Sequence, residues 1–204
     1  RITAQFLDDP SALRAGNRTI RYPEGISRSC SGGSKEEPRD QELNRGRQDK
    51  VNVASADTIR IGLISDTHGL VRDEALAALD GCGRIIHAGD IDTPDVLEKL
   101  RCLAPVTVVR GNNDRGKWTD SIPVLDVVEF GAVSIYVRHD QAELDIDPVA
   151  AGFRVMIFGH SHKPMVETRD GVLFVNPGSA GPRRFKLPVT VGELMIAGDR
   201  VDAR

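Results

Sequence analysis

No stretch of this 204-residue chain approaches the ~20 consecutive apolar residues that span a bilayer, so no membrane partner is expected. Nothing near its start joins a charged flank to an apolar core, and no secretory signal is read there. Cysteine is scarce. Cys30, Cys82 and Cys102 are odd in number and lack the paired short spacing of a disulfide framework or a zinc knuckle, which leaves them as thiols, with Cys82 and Cys102 expected to be partly buried. Charge is not in excess either: 27 Lys and Arg stand against 30 Asp and Glu, a formal net charge of −3. That lacks the basic surplus of a general nucleic-acid binder, although a nucleotide as substrate stays open. No internal repeat is visible. What remains, 40% hydrophobic and 28% charged residues, is the composition of a single globular domain, for which the cytoplasm is the plainest location. Oligomeric state is left open.

Apolar residues are also missing from Pro23 to Lys50, where only Ile26, Cys30 and Leu43 are sizeable. So few cannot offset the entropy of ordering the backbone, and residues 1–56 are expected to form a disordered extension. The chain begins at Arg1 instead of methionine, as a fragment or an over-extended reading frame would; a regulatory or targeting arm is the alternative, and no motif supports it. Residues 57–204 are expected to form the globular domain. There, β-branched runs alternate with helical patterns at βαβ spacing: strands over Ile59 to Ile64, Arg84 to His87 and Val106 to Val109, helices over Asp73 to Leu79 and Asp95 to Leu103. After Pro123 the rhythm becomes strand against strand. Hairpins are expected around Gly131 and around Arg169 to Gly171, a further strand at Val155 to Phe158 and a closing pair from Val189 to Val201. The fold class this implies is α/β, a four-layer α-β-β-α sandwich of two facing mixed sheets.

Each apolar run ends in a polar block. Ile61 to Leu70, IGLISDTHGL, delivers Asp66 and His68; the later blocks deliver His87, Gly89 and Asp90, then Gly111 to Asp114, then His139 and Asp140, then Gly159 to His162. Ligand sites of open α/β sheets gather at the carboxyl ends of strands, so these blocks are expected to converge. Within the pairs Asp66/His68 and His160/His162, alternation along an extended chain would place both side chains on one face. Glycines 89, 111 and 159 would let the backbone turn closely around the centre.

A lone histidine is usually a core or surface residue. Four of the five here, all but His87 inside its strand, fall at successive strand ends beside Asp66, Asp90 and Asn112, which reverses those odds in favour of metal ligation. The donor set mixes imidazole nitrogen with carboxylate and amide oxygen and contains no thiolate. It favours Mn2+, Fe2+, Ni2+, Co2+ or Zn2+ over Mg2+ or Ca2+. Seven protein ligands exceed one tetrahedral site and suit two divalent ions sharing a carboxylate, an arrangement used at phosphorus.

The ordered blocks D-x-H, G-D, G-N-x-D, H and G-H-x-H resemble those of the calcineurin-like metallophosphoesterases, and Asn176 to Ser179, N-P-G-S, resembles the small bacterial and archaeal phosphodiesterase clade within it. The resemblance runs from about Ile59 to Val201. It implies that Asp66, His68 and His162 hold one metal, that Asn112, His139 and His160 hold the other, and that Asp90 bridges them. It further implies a metal-bridging hydroxide as nucleophile and a small phosphate ester as substrate, while the histidine-rich donor set makes manganese the first candidate ion. Two positions depart from the pattern. Asn113 stands where many relatives carry a histidine that protonates the leaving oxygen, a step an amide cannot perform; Asn113 with Asp114 is nonetheless the candidate catalytic pair. Asp140 and Gln141 follow His139 where relatives often continue Gly-His, and Asp140 is either a partner orienting His139 or a solvated charge.

His87 is expected to be buried or supporting rather than ligating. Arg115, Arg183 and Arg184 are solvated by default and are the cationic candidates for a substrate phosphate. Trp118 is read as a rim or a core residue. The function expected is a metal-dependent phosphoric ester hydrolase of the phosphodiesterase type. Its rivals are a phosphomonoesterase and a non-catalytic scaffold of the same fold, like the retromer subunit with its altered metal set. A nuclease would want a cap or a basic surface that the chain lacks.

Overall fold

A computed structural model describes residues 5–6 and 58–204; the expectation of disorder over 1–56 lies outside the described residues except at Gln5 and Phe6. In chain order the elements are β1 (Gln5–Phe6), β2 (Ile59–Ile64), α1 (Asp73–Leu79), β3 (Arg84–His87), α2 (Pro94–Arg101), β4 (Val106–Val108), β5 (Leu125–Phe130) and β6 (Val133–Arg138). They continue with β7 (Val155–Ile157), β8 (Met165–Arg169), β9 (Val172–Asn176), β10 (Thr190–Ala197) and β11 (Arg200–Ala203).

Two mixed sheets result. The first runs β1-β10-β2-β3-β4, with β2, β3 and β4 mutually parallel and β10 antiparallel to β2. The outer edge of β10 pairs with β1 at Thr190 and Val191 and with β11 from Leu194 to Ala197. The second sheet runs β5-β6-β7-β9-β8, with β6, β7 and β9 parallel and a hairpin at each side. The βαβ spacing of the first half therefore made parallel strands, and the short Gly131 and Asp170–Gly171 connections made antiparallel ones.

Strand alternation sorts the core into layers. Ile61, Leu63 and Ile86 point between the sheets and meet Ile135, Val137, Val155, Ile157 and Val175 of the second sheet. Ile64 and Ile85 point the other way, onto Ala75 and Leu79 of α1 and Val96, Leu97 and Leu100 of α2, whose i, i+4 spacing makes each helix one-faced. Trp118, half-buried, packs against the edge of this helix-side cluster. Gly62 faces the same side; a Cβ there would collide with Leu79, so its absence lets α1 lie against the sheet.

The outer face of the second sheet carries Tyr136, Met156, Phe158, Val172 and Phe174, closed over by Leu144 and Phe153. These two come from the β6–β7 connection, which holds a 3-10 turn at Gln141–Glu143 and, among the described residues, no α-helix. The Asp147 carboxylate accepts from the N–H of Val149 and of Ala150, and Gly152, at φ +80°, ends that turn after a few residues. The fourth layer is thinner than the first. Cys82 is buried, while Cys102, expected to be partly buried, is exposed at the end of α2. No described helix is long and apolar enough to cross a membrane.

Candidate metal centre

The predicted blocks meet where the parallel strands of both sheets end. Asp66 and His68 follow β2, Asp90 follows β3, Asn112 follows β4, His139 follows β6, and His160 and His162 follow β7. The expectation that the two D-x-H and H-x-H pairs lie on extended chain is corrected here. Asp66, His68, Asp90, Asp92, His160 and His162 all have left-handed backbone, with φ between +46° and +68°. Non-glycine residues adopt this conformation at a cost of about 1–3 kcal/mol and cluster at functional sites when they do. Tight left-handed turns, not strand alternation, aim both members of each pair inward. Glycine is then required where these turns pack: a Cβ on Gly111 would strike Asp90, and one on Gly159 would strike Ser65 and Asp66.

Two groups of ligand-type atoms result, Asp66, His68 and His162 in one and Asp66, Asp90 and His139 in the other, each within 4.8 Å of one another. In the first, His162 Nε2 lies 3.3 Å from Asp66 Oδ1 and 3.4 Å from His68 Nε2. In the second, His139 Nε2 lies 3.4 Å from Asp90 Oδ1 and 3.1 Å from Asn112 Oδ1, which in turn lies 2.9 Å from His160 Nδ1. Asp90 stands between the groups, its other oxygen 3.8 Å from His68 Nε2. All seven predicted ligands are thus within one cluster.

The polar atoms fit a cation. His139 donates Nδ1–H to the carbonyl of Ala88 at 2.7 Å, which turns Nε2 toward the oxygens of Asp90 and Asn112, where either a proton or a cation must stand between nitrogen and oxygen. Asp66 Oδ2 accepts from the His160 N–H, while buried Asp66 Oδ1 has no hydrogen-bond partner and faces two imidazole nitrogens. Acceptors converge on acceptors. Positive charge is what such a set lacks, and a divalent ion coordinated by nitrogen and oxygen supplies it.

Burial pushes the Asp66 carboxyl up to about 6. Burial acts the same way on Asp90, but hydrogen bonds from His139 and from the N–H of Asn113 outweigh it and hold Asp90 well below the usual carboxylate range. His139 is pulled down by burial and raised more by Asp90, for a net increase. Burial lowers His162 to about 4, helped by the Arg184 charge. Asp66 sets a testable pH dependence. Its pKa exceeds the unfolded value of 3.8, so the metal-free fold loses stability from this group as pH rises through about 6. A ligating ion must displace that proton below the same pH. Divalent-ion affinity is expected to fall up to about tenfold per unit as pH drops below about 6. Metal titrations at pH 5 and 7.5 with equal affinities would remove Asp66 from the ligand set.

Several residues of these blocks support the ligand turns through hydrogen bonds. Asp114 ties the turns together through backbone: Oδ1 accepts from the N–H of Ile91 and Asp92, Oδ2 from the N–H of Asp90 and Gly111. Both oxygens face backbone, so Asp114 holds the Asp90 turn against the Asn112 turn. His87 is buried, and burial lowers it to about 3, so it is neutral. Its Nδ1 accepts from Gly89 N–H, leaving Nε2–H for the Thr67 hydroxyl at 3.0 Å, which ties the Asp66 turn to β3. Asn176 donates to the Gly159 carbonyl and Ser179 to the Asp66 carbonyl, so the N-P-G-S turn clamps two ligand turns. Asp140 sits 3.7 Å from His160 Nε2 and is not a partner of His139, whose Nδ1 is held by backbone.

Asp92 was missed altogether. Its carboxylate lies 3.2 Å from His68 Nδ1, which fixes the proton there and turns Nε2 toward the centre. Asp92→Ala is expected to weaken divalent-ion binding by about 10- to 100-fold with little change in melting temperature of the metal-free protein. Unchanged affinity in a calorimetric titration would show that the ring is held by its turn alone. Of the arginines, Arg184 is exposed and places Nη2 3.2 Å from His68 Nε2, and Arg115 is exposed. Asn113 donates its side-chain amide to Asp90 Oδ2 at 2.6 Å and its backbone N–H to Oδ1 at 2.8 Å.

Residues 59–199 match the calcineurin-like phosphoesterase superfamily domain. The chain is 34% identical over 154 residues to the "probable metallophosphoesterase" of Methanothermobacter thermautotrophicus, covering 70% of this chain and 89% of that protein. A solved structure described as a novel archaeal phosphodiesterase superposes with a TM-score of 0.59 at 25% identity, covering 72% of this chain and 99% of that one. Vacuolar protein sorting 29 from Cryptosporidium parvum superposes with a TM-score of 0.60 at 23% identity, covering 72% and 89%, a likeness of fold.

Proposed function

The chain belongs to the calcineurin-like phosphoesterase superfamily, and from that premise we propose that it is a phosphodiesterase working with two divalent ions on a small phosphate ester. The observation that carries this reading is Asp90, whose two oxygens face His68 on one side and His139 on the other. Asp66, His68 and His162 would hold one ion, Asn112, His139 and His160 the other, and Asp90 both. Bound there, the ions would supply Lewis acidity toward phosphoryl oxygens and water of lowered pKa.

The chain's own groups do the rest. Asp114 and the Thr67–His87 pair hold the ligand turns in register, so the donors are preorganised before substrate arrives. Arg184, beside His68, is placed to meet a non-bridging phosphate oxygen through its guanidinium. Asn113 holds Asp90 and has no proton to give at neutral pH.

Chelation is expected to abolish hydrolysis of bis-nitrophenyl phosphate, and manganese to restore it better than magnesium, because imidazole-rich sites prefer transition ions. Nickel, cobalt, iron and zinc belong in the same screen, as do nitrophenyl monoesters, which test the phosphomonoesterase alternative. Full turnover by protein verified as metal-free would overturn the metal reading. Metal uptake without turnover on any ester would favour a scaffold, the role for which the likeness to vacuolar protein sorting 29 is the supporting observation.

A further inference from the structure

A cavity of about 190 Å3 opens directly beside Asn112, His139 and His160, and its remaining wall includes Arg110, Val124, Asp140 and Glu143. Cavities that hold a whole drug-sized ligand run to ~300–1,000 Å3. This one is smaller and has room for one compact substituent of a substrate whose phosphate lies at the cluster.

The wall has an unusual balance of charge. The Arg110 guanidinium makes no hydrogen bond or ion pair among the described residues, while the backbone N–H of Arg110 is committed to the carbonyl of Pro123. Asp140 uses Oδ1 for the N–H of Ala142 and holds Oδ2 3.7 Å from His160 Nε2, and Glu143 uses Oε2 for Arg138, so Asp140 Oδ2 and Glu143 Oε1 each lack a hydrogen-bond donor. An anionic substituent would meet these carboxylates, and a cationic one would meet Arg110. A neutral group that donates and accepts at once meets both, and Val124, 49% exposed, offers an apolar surface for its C–H face.

We propose that this cavity is a subsite for a vicinal-diol substituent of the phosphate ester, of glycerol or pentose size, with Arg110 as the donor and Asp140 and Glu143 as the acceptors that read it. The inference rests on the phosphoesterase reading and names its substrate class.

Equilibrium binding to the metal-loaded protein tests it with three probes: glycerol 3-phosphate, ribose 5-phosphate and ethyl phosphate. At least one diol phosphate is expected to bind about tenfold or more tightly than ethyl phosphate, the worth of one hydrogen bond to a charged group. The tighter of the two identifies the polyol. Arg110→Met is expected to remove most of that preference and leave ethyl phosphate binding unchanged. Val124→Trp, which fills the cavity from its exposed rim, is expected to do the same, so the result does not hang on one variant folding. Equal binding of all three probes to the unmodified protein, or a uniform loss across all three in both variants, would overturn the subsite. Failure of ethyl phosphate to bind, together with no hydrolysis of aryl diesters, would instead overturn the phosphoesterase reading and the subsite with it.

Discussion

Asp90→Ala is expected to lower kcat/KM on aryl phosphodiesters by about 10³-fold or more, the largest loss of any single ligand change, because several kcal/mol of transition-state stabilisation depend on metal occupancy. Asp90 is 1% exposed, with one oxygen 3.8 Å from His68 Nε2 and the other 3.4 Å from His139 Nε2. Its removal deprives His68 and His139 of their shared partner and leaves the Asn113 amide without an acceptor. Metal analysis of the purified variant should find both ions depleted. Asn112→Ala, which touches only His139 and His160, should deplete one. The isosteric Asp90→Asn keeps the shape and removes the charge, so it separates a ligand effect from a collapsed turn. Near-normal turnover with full metal content in Asp90→Ala would show that the two groups do not share this residue.

The second large effect concerns Asn113 and the departing oxygen. That oxygen gains negative charge as the ester bond breaks, and general acid assistance is typically worth ~10²- to 10⁴-fold. Asn113 cannot supply a proton, and its amide is turned to Asp90. Turnover is therefore expected to depend steeply on leaving-group pKa, with nitrophenyl esters faster than simple alkyl esters by about the missing ~10²- to 10⁴-fold. Asn113→His should flatten that dependence and help poor leaving groups most. Asp114 will not orient the new ring, since both its oxygens hold backbone N–H groups, and the ring must take its orientation from Asp90. Rates plotted against leaving-group pKa for both proteins, with equal metal content, decide the matter. A shallow slope in the unmodified protein would mean that another group already delivers the proton.

The left-handed ligand turns show where sequence reading stopped short. Asp66 and His68 are legible as a pair two residues apart, but φ +52° and +46° are not, because neither residue type announces positive φ as glycine does. Asp114 and Asp92 show the same limit for roles. Asp114 sits inside the G-N-x-D block and reads as chemistry, yet it binds four backbone N–H groups. Asp92 sits in no block, yet it faces His68. Asp140 follows His139 in the chain and lies beside His160 in space.

By itself, the sequence determined the strand and helix order of residues 59–203, the two-sheet arrangement and the identity of the seven residues that converge, because hydrophobic period and the polar block closing each run are local properties of the chain. Tertiary structure alone decided which atoms face each other. His68 and His162, 94 residues apart, meet at 3.4 Å, and the Arg110 cavity has walls from the β4, β5, β6 and β7 ends, because those distances depend on how two sheets pack and how strained turns leave them.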